Sequence, residues 1–305
     1  MLHTHRFKMI SLALIINGLA GTSPAQQPPK VIVPEDVELV RDVEFGKGGD
    51  RGLKLHIIRP RKLPKDPLPV LVYINGGGWS TDNKDMGIPR LILAAQQGYF
   101  CVTIEHRLCA EKKGNPPAAF PAQIEDCKCA VRYLRAKAKD YHLDTNRIGA
   151  WGGSSGGHLS ALLGTSANAK DLEGTGGWPE FSSQVHAVCS YCPPTDLLAA
   201  EWSEGIKTGL FVRLLGGLPK DKSDLARKAS PMTYITKDSP PFLIMHGTAD
   251  NLVPFKQGER LFDALKKAGV EAAFEPVKGK GHEELDPGNV YAMKFFNKYF
   301  KSGEK

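Results

Sequence analysis

No apolar stretch of this 305-residue chain is long enough to span a bilayer comfortably. The best candidate, Met9–Ala20, is short, follows Arg6 and Lys8, and leads into Ser23-Pro24-Ala25. Basic, apolar and small residues in that order are the pattern of a secretory signal peptide over residues 1–25, with one domain over 26–305. No cysteine lies near that cut, so a lipid anchor there is excluded, and stable membrane association is not expected. A dense basic stripe with interleaved aromatics is missing too. The formal charge of +7 comes from lysines and arginines scattered among acids, two of them in the leader, so nucleic-acid partners are excluded and solvated lysines expected. No Cys/His grouping has zinc-ligand spacing, so no metal is expected, and no cofactor motif stands out. Internal repeats, low-complexity tracts and a recognisable carbohydrate-binding module are all lacking.

The leader implies a secreted or periplasmic protein, and hence an oxidising compartment in which six cysteines could pair. Spacing does not choose the pairs. Cys127 and Cys129, two apart on an expected helix, point in different directions and should not bond each other. Cys189-x-x-Cys192 has the form of a redox motif. It ends a strand instead of opening a helix, so the helix N-terminus that stabilises a reactive thiolate is missing. Buried thiols or a structural bridge are the expectation.

What is present is an alternation of strands and helices. Residues 26–35 read as an extended lead-in, and Leu53–Arg59 alternates like an early antiparallel strand. Val70–Ile74, Tyr99–Glu105, Ile148–Trp151, Val185–Cys192, Phe242–Met245 and Ala272–Val277 read as strands, most of them continuous apolar runs suited to burial on both faces. Helices are expected at Pro89–Gln97, Pro121–Tyr141, Gly157–Leu163, Phe255–Ala268 and Val290–Phe300. The pattern implies an α/β fold, a mostly parallel central sheet with helices on both faces. The long stretch between Cys192 and Phe242, with helices near Glu204–Leu215 and Ser223–Lys228, is where a small cap would sit.

Gly152-Gly153-Ser154-Ser155-Gly156 lies between a strand and a helix, the setting that lifts a serine hydroxyl onto a tight, strained turn. A serine is a poor nucleophile unless a base removes its proton, a third group orients that base, and donors await the oxyanion. His282, in Gly279-Lys280-Gly281-His282, is the candidate base, and Asp250, in His246-Gly247-Thr248-Ala249-Asp250, the candidate acid. Each follows a strand, where parallel sheets place their sites. The candidate oxyanion donors are the backbone N–H of Ser155 and the glycine turn after Val70–Ile74, chiefly Gly77 and Gly78. Asp196 is the rival acid. His246, His158 and His106 read as structural or packing residues. Trp79 and Trp202 are candidates to line an acyl or aromatic pocket, with an ordinary core role as the alternative.

Tyr73-Ile74-Asn75-Gly76-Gly77-Gly78-Trp79, Phe120-Pro121-Ala122-Gln123-Ile124-Glu125-Asp126, the serine turn with Gly156-Gly157-His158-Leu159, Pro194-Thr195-Asp196-Leu197 and His246-Gly247-Thr248-Ala249-Asp250 together resemble a known group. From about Leu68 to Phe300 the chain resembles α/β-hydrolase esterases with an H-G-G-G-type turn. The likeness is to the feruloyl/acetyl-xylan esterase-like branch related to hormone-sensitive lipase. The resemblance implies a carboxylic-ester hydrolase with an acyl-enzyme intermediate, acting on short or aromatic acyl esters such as those decorating plant polysaccharides. Asn75 departs from the family's usual His, and Ser155 from its usual Ala. Two other readings share the fold: a serine peptidase of the prolyl-oligopeptidase type, whose large propeller has no room here, and a catalytically dead hydrolase fold used for binding.

Overall fold

Eight strands build one sheet: β1 (Val37–Gly48), β2 (Arg51–Pro60), β3 (Leu68–Ile74), β4 (Phe100–Ile104), β5 (Leu143–Gly153), β6 (Ala187–Tyr191), β7 (Phe242–Gly247) and β8 (Ala272–Val277). Their spatial order is β1-β2-β4-β3-β5-β6-β7-β8. β1 pairs antiparallel with β2 and β2 with β4; every other pairing is parallel. This computed structural model describes residues 31–81, 83–112 and 116–301. The expected leader lies outside the described residues. The strands and helices belong to the unit Val33–Lys305; of the short unit Met1–Ile32, only the last two residues are described, in neither helix nor strand.

The central strands are buried nearly end to end, as continuous apolar runs require when helices cover both faces. β5 shows the two faces. Trp151 meets Phe296 of the helix Val290–Phe300, ring centroids 6.0 Å apart, and lies under the Arg90 guanidinium of the helix Ile88–Gln96 at 5.3 Å. Gly152, on the opposite face, abuts Gly156 of the helix Ser155–Thr165, beside which the helix Ala122–Ala136 packs. The remaining long helix, Lys256–Lys267, lies against β7 and β8.

Three elements differ from the sequence reading. β1 was not expected. Its register against β2 shifts between Val40 and Val43 and again between Glu44 and Gly46, and these irregularities break the alternation that marks a strand. The helix expected over Pro121–Tyr141 stops at Ala136, and a single turn, Ala138–Tyr141, follows and closes on left-handed His142. The expected helix Glu204–Leu215 is helical at both ends, but Lys207–Phe211 between them is a π-helix, a widened turn often found at functional sites.

All six cysteines lie among the described residues as buried thiols. Lys128 departs from the expected solvated surface: it is fully buried, and its Nζ donates to Ser166 O and Glu173 Oε1, each at 2.7 Å. Among the described residues, no helix is long and apolar enough to cross a membrane.

Candidate active site

Ser154 stands on the turn between β5 and the helix Ser155–Thr165 with φ 56° and ψ −125°. A positive φ is costly for a residue with a Cβ, and such strain persists only where the surroundings impose it. Here the Ser154 N–H donates to Tyr191 O at the end of β6, 2.8 Å away. The helix also crosses β3 at Gly156, where a Cβ would sit 2.0 Å from the Ile74 carbonyl oxygen. Only glycine allows that approach, which is the local reason for the G-x-S-x-G spacing.

Asp250 follows β7 and His282 follows β8, so the sheet delivers both to the end at which Ser154 stands. His282 Nε2 lies 2.9 Å from Ser154 Oγ, and Nδ1 lies 2.7 Å from Asp250 Oδ2. An ionised carboxylate only accepts, so Nδ1–H donates to it and Nε2 is left to accept the serine proton. Asp250 Oδ1 accepts the backbone N–H groups of Leu252 and Val253, each at 2.9 Å. His246 Nε2 stands 3.5 Å from Oδ2 and 3.0 Å from Val253 O. Burial alone would raise the Asp250 pKa. Hydrogen bonds from His246, His282 and the Val253 N–H outweigh it and hold the carboxyl well below the usual range.

The turn after β3 carries three successive positive φ values, Gly77 at 134°, Gly78 at 59° and Trp79 at 56°. It runs close to the serine turn: a Cβ on Gly76 would lie 2.8 Å from Gly153 O. Asn75 braces it. The buried Asn75 Nδ2 donates to Thr103 Oγ1 of β4 at 2.9 Å, and that hydroxyl donates to Lys84 O at 3.0 Å. Trp79 is held from the other side by His158, whose Nδ1 accepts the indole N–H at 3.1 Å.

Ser154 and His282 open on a cavity of about 400 Å³ that Gly77, Gly78 and Ser155 also line. Trp79, Trp202 and Phe211 are among its walls, and the Trp202 and Phe211 rings meet edge-on at 4.9 Å. Trp202 is fixed by its indole N–H, which donates to Asp196 O at 2.7 Å. The Ser155 hydroxyl is buried with no hydrogen-bond partner among the described residues.

The remaining candidates go elsewhere. The Asp196 carboxylate pairs with Arg260 at 3.0 Å and accepts the Leu198 N–H, so Asp250 and not Asp196 meets His282. His106 Nδ1 is bonded to Arg107 O. Sequence reading missed the contribution of the cap's π-helix: Leu210 and Phe211 enter the cavity, and Leu210 touches the space over Gly78. The only signal was their apolar character. It also missed Cys192, whose sulfur lies beside Asp250 and His246.

The BD-FAE family model matches residues 55–265. Esterase LipQ of Mycobacterium tuberculosis (strain ATCC 25618 / H37Rv) is 30% identical over 247 residues, which are 80% of this chain and 57% of that protein. The chain thus spans a little over half the length of such curated relatives. Among solved structures, a bifunctional GH43-CE from Bacteroides eggerthii has a TM-score of 0.76 at 34% identity, covering 88% of this chain and 38% of that one. A truncated carbohydrate esterase from gut microbiota has a TM-score of 0.74 at 30% identity, covering 88% and 96%. A match running from β2 into the helix Lys256–Lys267 takes in the serine turn and Asp250, and by it the chain belongs to the BD-FAE family of α/β-hydrolase esterases.

Proposed function

We propose that the chain is a serine carboxylic-ester hydrolase that works through an acyl-enzyme, and that residues 1–25 direct its export. The observation that carries the reading is the continuous array Ser154–His282–Asp250, bonded at 2.9 and 2.7 Å and open to an apolar cavity. His282 takes the Ser154 proton as the hydroxyl attacks the ester carbonyl. The Asp250 carboxylate holds the ring in the tautomer that accepts and stabilises the imidazolium formed. The developing oxyanion is met by backbone N–H groups of Gly77, Gly78 and Ser155. His282 then protonates the departing alkoxide, and a water molecule repeats the sequence on the acyl-enzyme.

The substrate reading is an ester with a short or aromatic acyl group, the feruloyl and acetyl esters of plant polysaccharides being the leading candidates. Trp79, Trp202 and Phe211 around a cavity of about 400 Å³ favour a flat aromatic acyl group over acetyl alone, since apolar walls contribute most when a matching surface covers them. The carbohydrate-esterase neighbours are compatible with that choice.

The test is turnover of p-nitrophenyl acetate, butyrate and octanoate, methyl ferulate and acetylated xylan by residues 26–305, beside a peptide amide and a fluorophosphonate label. The expected result is ester turnover without amide cleavage, labelling at Ser154, and loss of both in Ser154→Ala by about 10³-fold or more. Amide cleavage would move the reading to a peptidase. Wild-type activity in Ser154→Ala would end it. N-terminal sequencing of the exported protein checks processing after Ala25.

A further inference from the structure

Cys192 stands one residue beyond β6 with φ 43°, a conformation that a side-chain-bearing residue rarely adopts. The kink is pinned: the Cys192 N–H donates to Met245 O of β7 at 2.8 Å. Its effect is to turn the side chain toward the acid. The Cys192 sulfur, an imidazole nitrogen of His246 and a carboxylate oxygen of Asp250 all lie within 4.8 Å of one another, and all three residues are buried. The Cys192 sulfur is therefore a buried neighbour of the Asp250 carboxylate. Burial, and then the negative charge of Asp250, push the thiol pKa up to about 12, so at neutral pH the group is S–H, a donor.

The neighbour in sequence completes the arrangement. Tyr191 O holds the backbone of Ser154, and Cys192 Sγ faces Asp250. Consecutive residues, Tyr191 and Cys192, therefore stand against both ends of the Ser154–His282–Asp250 array. We infer that Cys192 is a positioning residue: its thiol donates to the Asp250 carboxylate and, with the left-handed kink, sets where that carboxylate meets His282. The titratable groups facing the carboxylate are His282, His246 and Cys192, with Glu284 acting on the same pocket at longer range. The thiol acts here as a hydrogen-bonding group, and no redox chemistry is assigned to the Cys189-x-x-Cys192 spacing. An ordinary buried cysteine is a small hydrophobe whose removal changes stability alone, and that is the reading to be excluded.

The kinetic arm of the test rests on the esterase reading above. The pH dependence of kcat/KM is compared for the wild type, Cys192→Ala and Cys192→Ser. Without the S–H donor, the carboxylate bears more charge toward the imidazolium, so the acidic limb moves to higher pH in Cys192→Ala. Its kcat falls about tenfold with KM changed less than twofold. Cys192→Ser keeps a donor, returns the limb toward the wild-type position and recovers most of the lost kcat. A lower melting temperature in Cys192→Ala with unchanged kcat and limb overturns the inference. The second arm needs neither turnover nor a stable alanine variant. The infrared S–H stretch of Cys192, identified by its loss in Cys192→Ser, is expected at lower wavenumber than those of the other thiols and should rise in Asp250→Asn. A band that ignores Asp250→Asn overturns the inference. A band that moves in a protein inactive on every ester supports it while the esterase reading fails.

Discussion

The Trp79 indole N–H points at His158 Nδ1 from 3.1 Å, and the opposite nitrogen of the same imidazole meets Ala229 O at 2.7 Å. One ring thus links the candidate oxyanion turn to the segment that leads out of the cap. The arrangement demands a single neutral tautomer, with Nδ1 accepting and Nε2 donating.

Acid stability should report this directly. Burial lowers the His158 pKa to about 4, although its bond to Ala229 opposes the shift. The unfolded chain binds a proton on this residue near pH 6.5 and the folded chain does not, so unfolding gains ground as pH falls between those values. The stabilisation is complete above pH 6.5 and is lost towards pH 4, amounting to about 3 kcal/mol at most. His158→Gln offers an acceptor and a donor without the charge, so its melting temperature should fall less steeply over that range. Equal slopes for the two proteins would contradict the assignment.

The Asn75–Thr103 hydrogen bond should matter to rate through the turn it braces. Asn75→Ala and Thr103→Val each remove the same bond, and each is expected to lower kcat/KM about five- to tenfold with KM little changed. The double variant should be no worse than the weaker single variant. Additive losses in a double-mutant cycle would show that the two residues act separately.

Gly156→Ala tests the crossing of the elbow helix over β3. A methyl group 2.0 Å from Ile74 O can be relieved only by moving backbone. The expected cost is about 3 kcal/mol or more, read from the denaturant midpoint, with loss of Ser154 labelling. A midpoint like the wild type's would mean that the helix shifts freely.

Trp202 and Phe211 should set acyl preference. Trp202→Ala or Phe211→Ala removes one member of an edge-on pair that walls the cavity. The ratio of octanoate to acetate turnover is expected to rise about tenfold, because a deeper apolar pocket rewards the longer chain more. An unchanged ratio would place the acyl group elsewhere.

Much of this was visible in the amino-acid order, for a physical reason. Ser154 and Asp250 each follow a buried apolar run and His282 follows the partly exposed edge strand β8, and parallel strands deliver such positions to one end of the sheet. What stayed hidden depends on contacts between distant segments. Thr103 gives no sign that it will receive Asn75. β1 escaped notice because two register shifts spoil its alternation. The cavity wall from Leu210 and Phe211 depends on a π-helical turn that residue type does not mark. Cys192 was read through its spacing from Cys189, whereas the backbone kink that aims it at Asp250 appears only in three dimensions.

The six buried thiols bear on how the protein can be made and handled. A fold closed by packing and hydrogen bonds alone is indifferent to the glutathione poise around it. Dithiothreitol should leave the melting curve where it was. A bacterial cytosol should yield the same active protein as an export pathway, with no isomerase or oxidant in the refolding buffer.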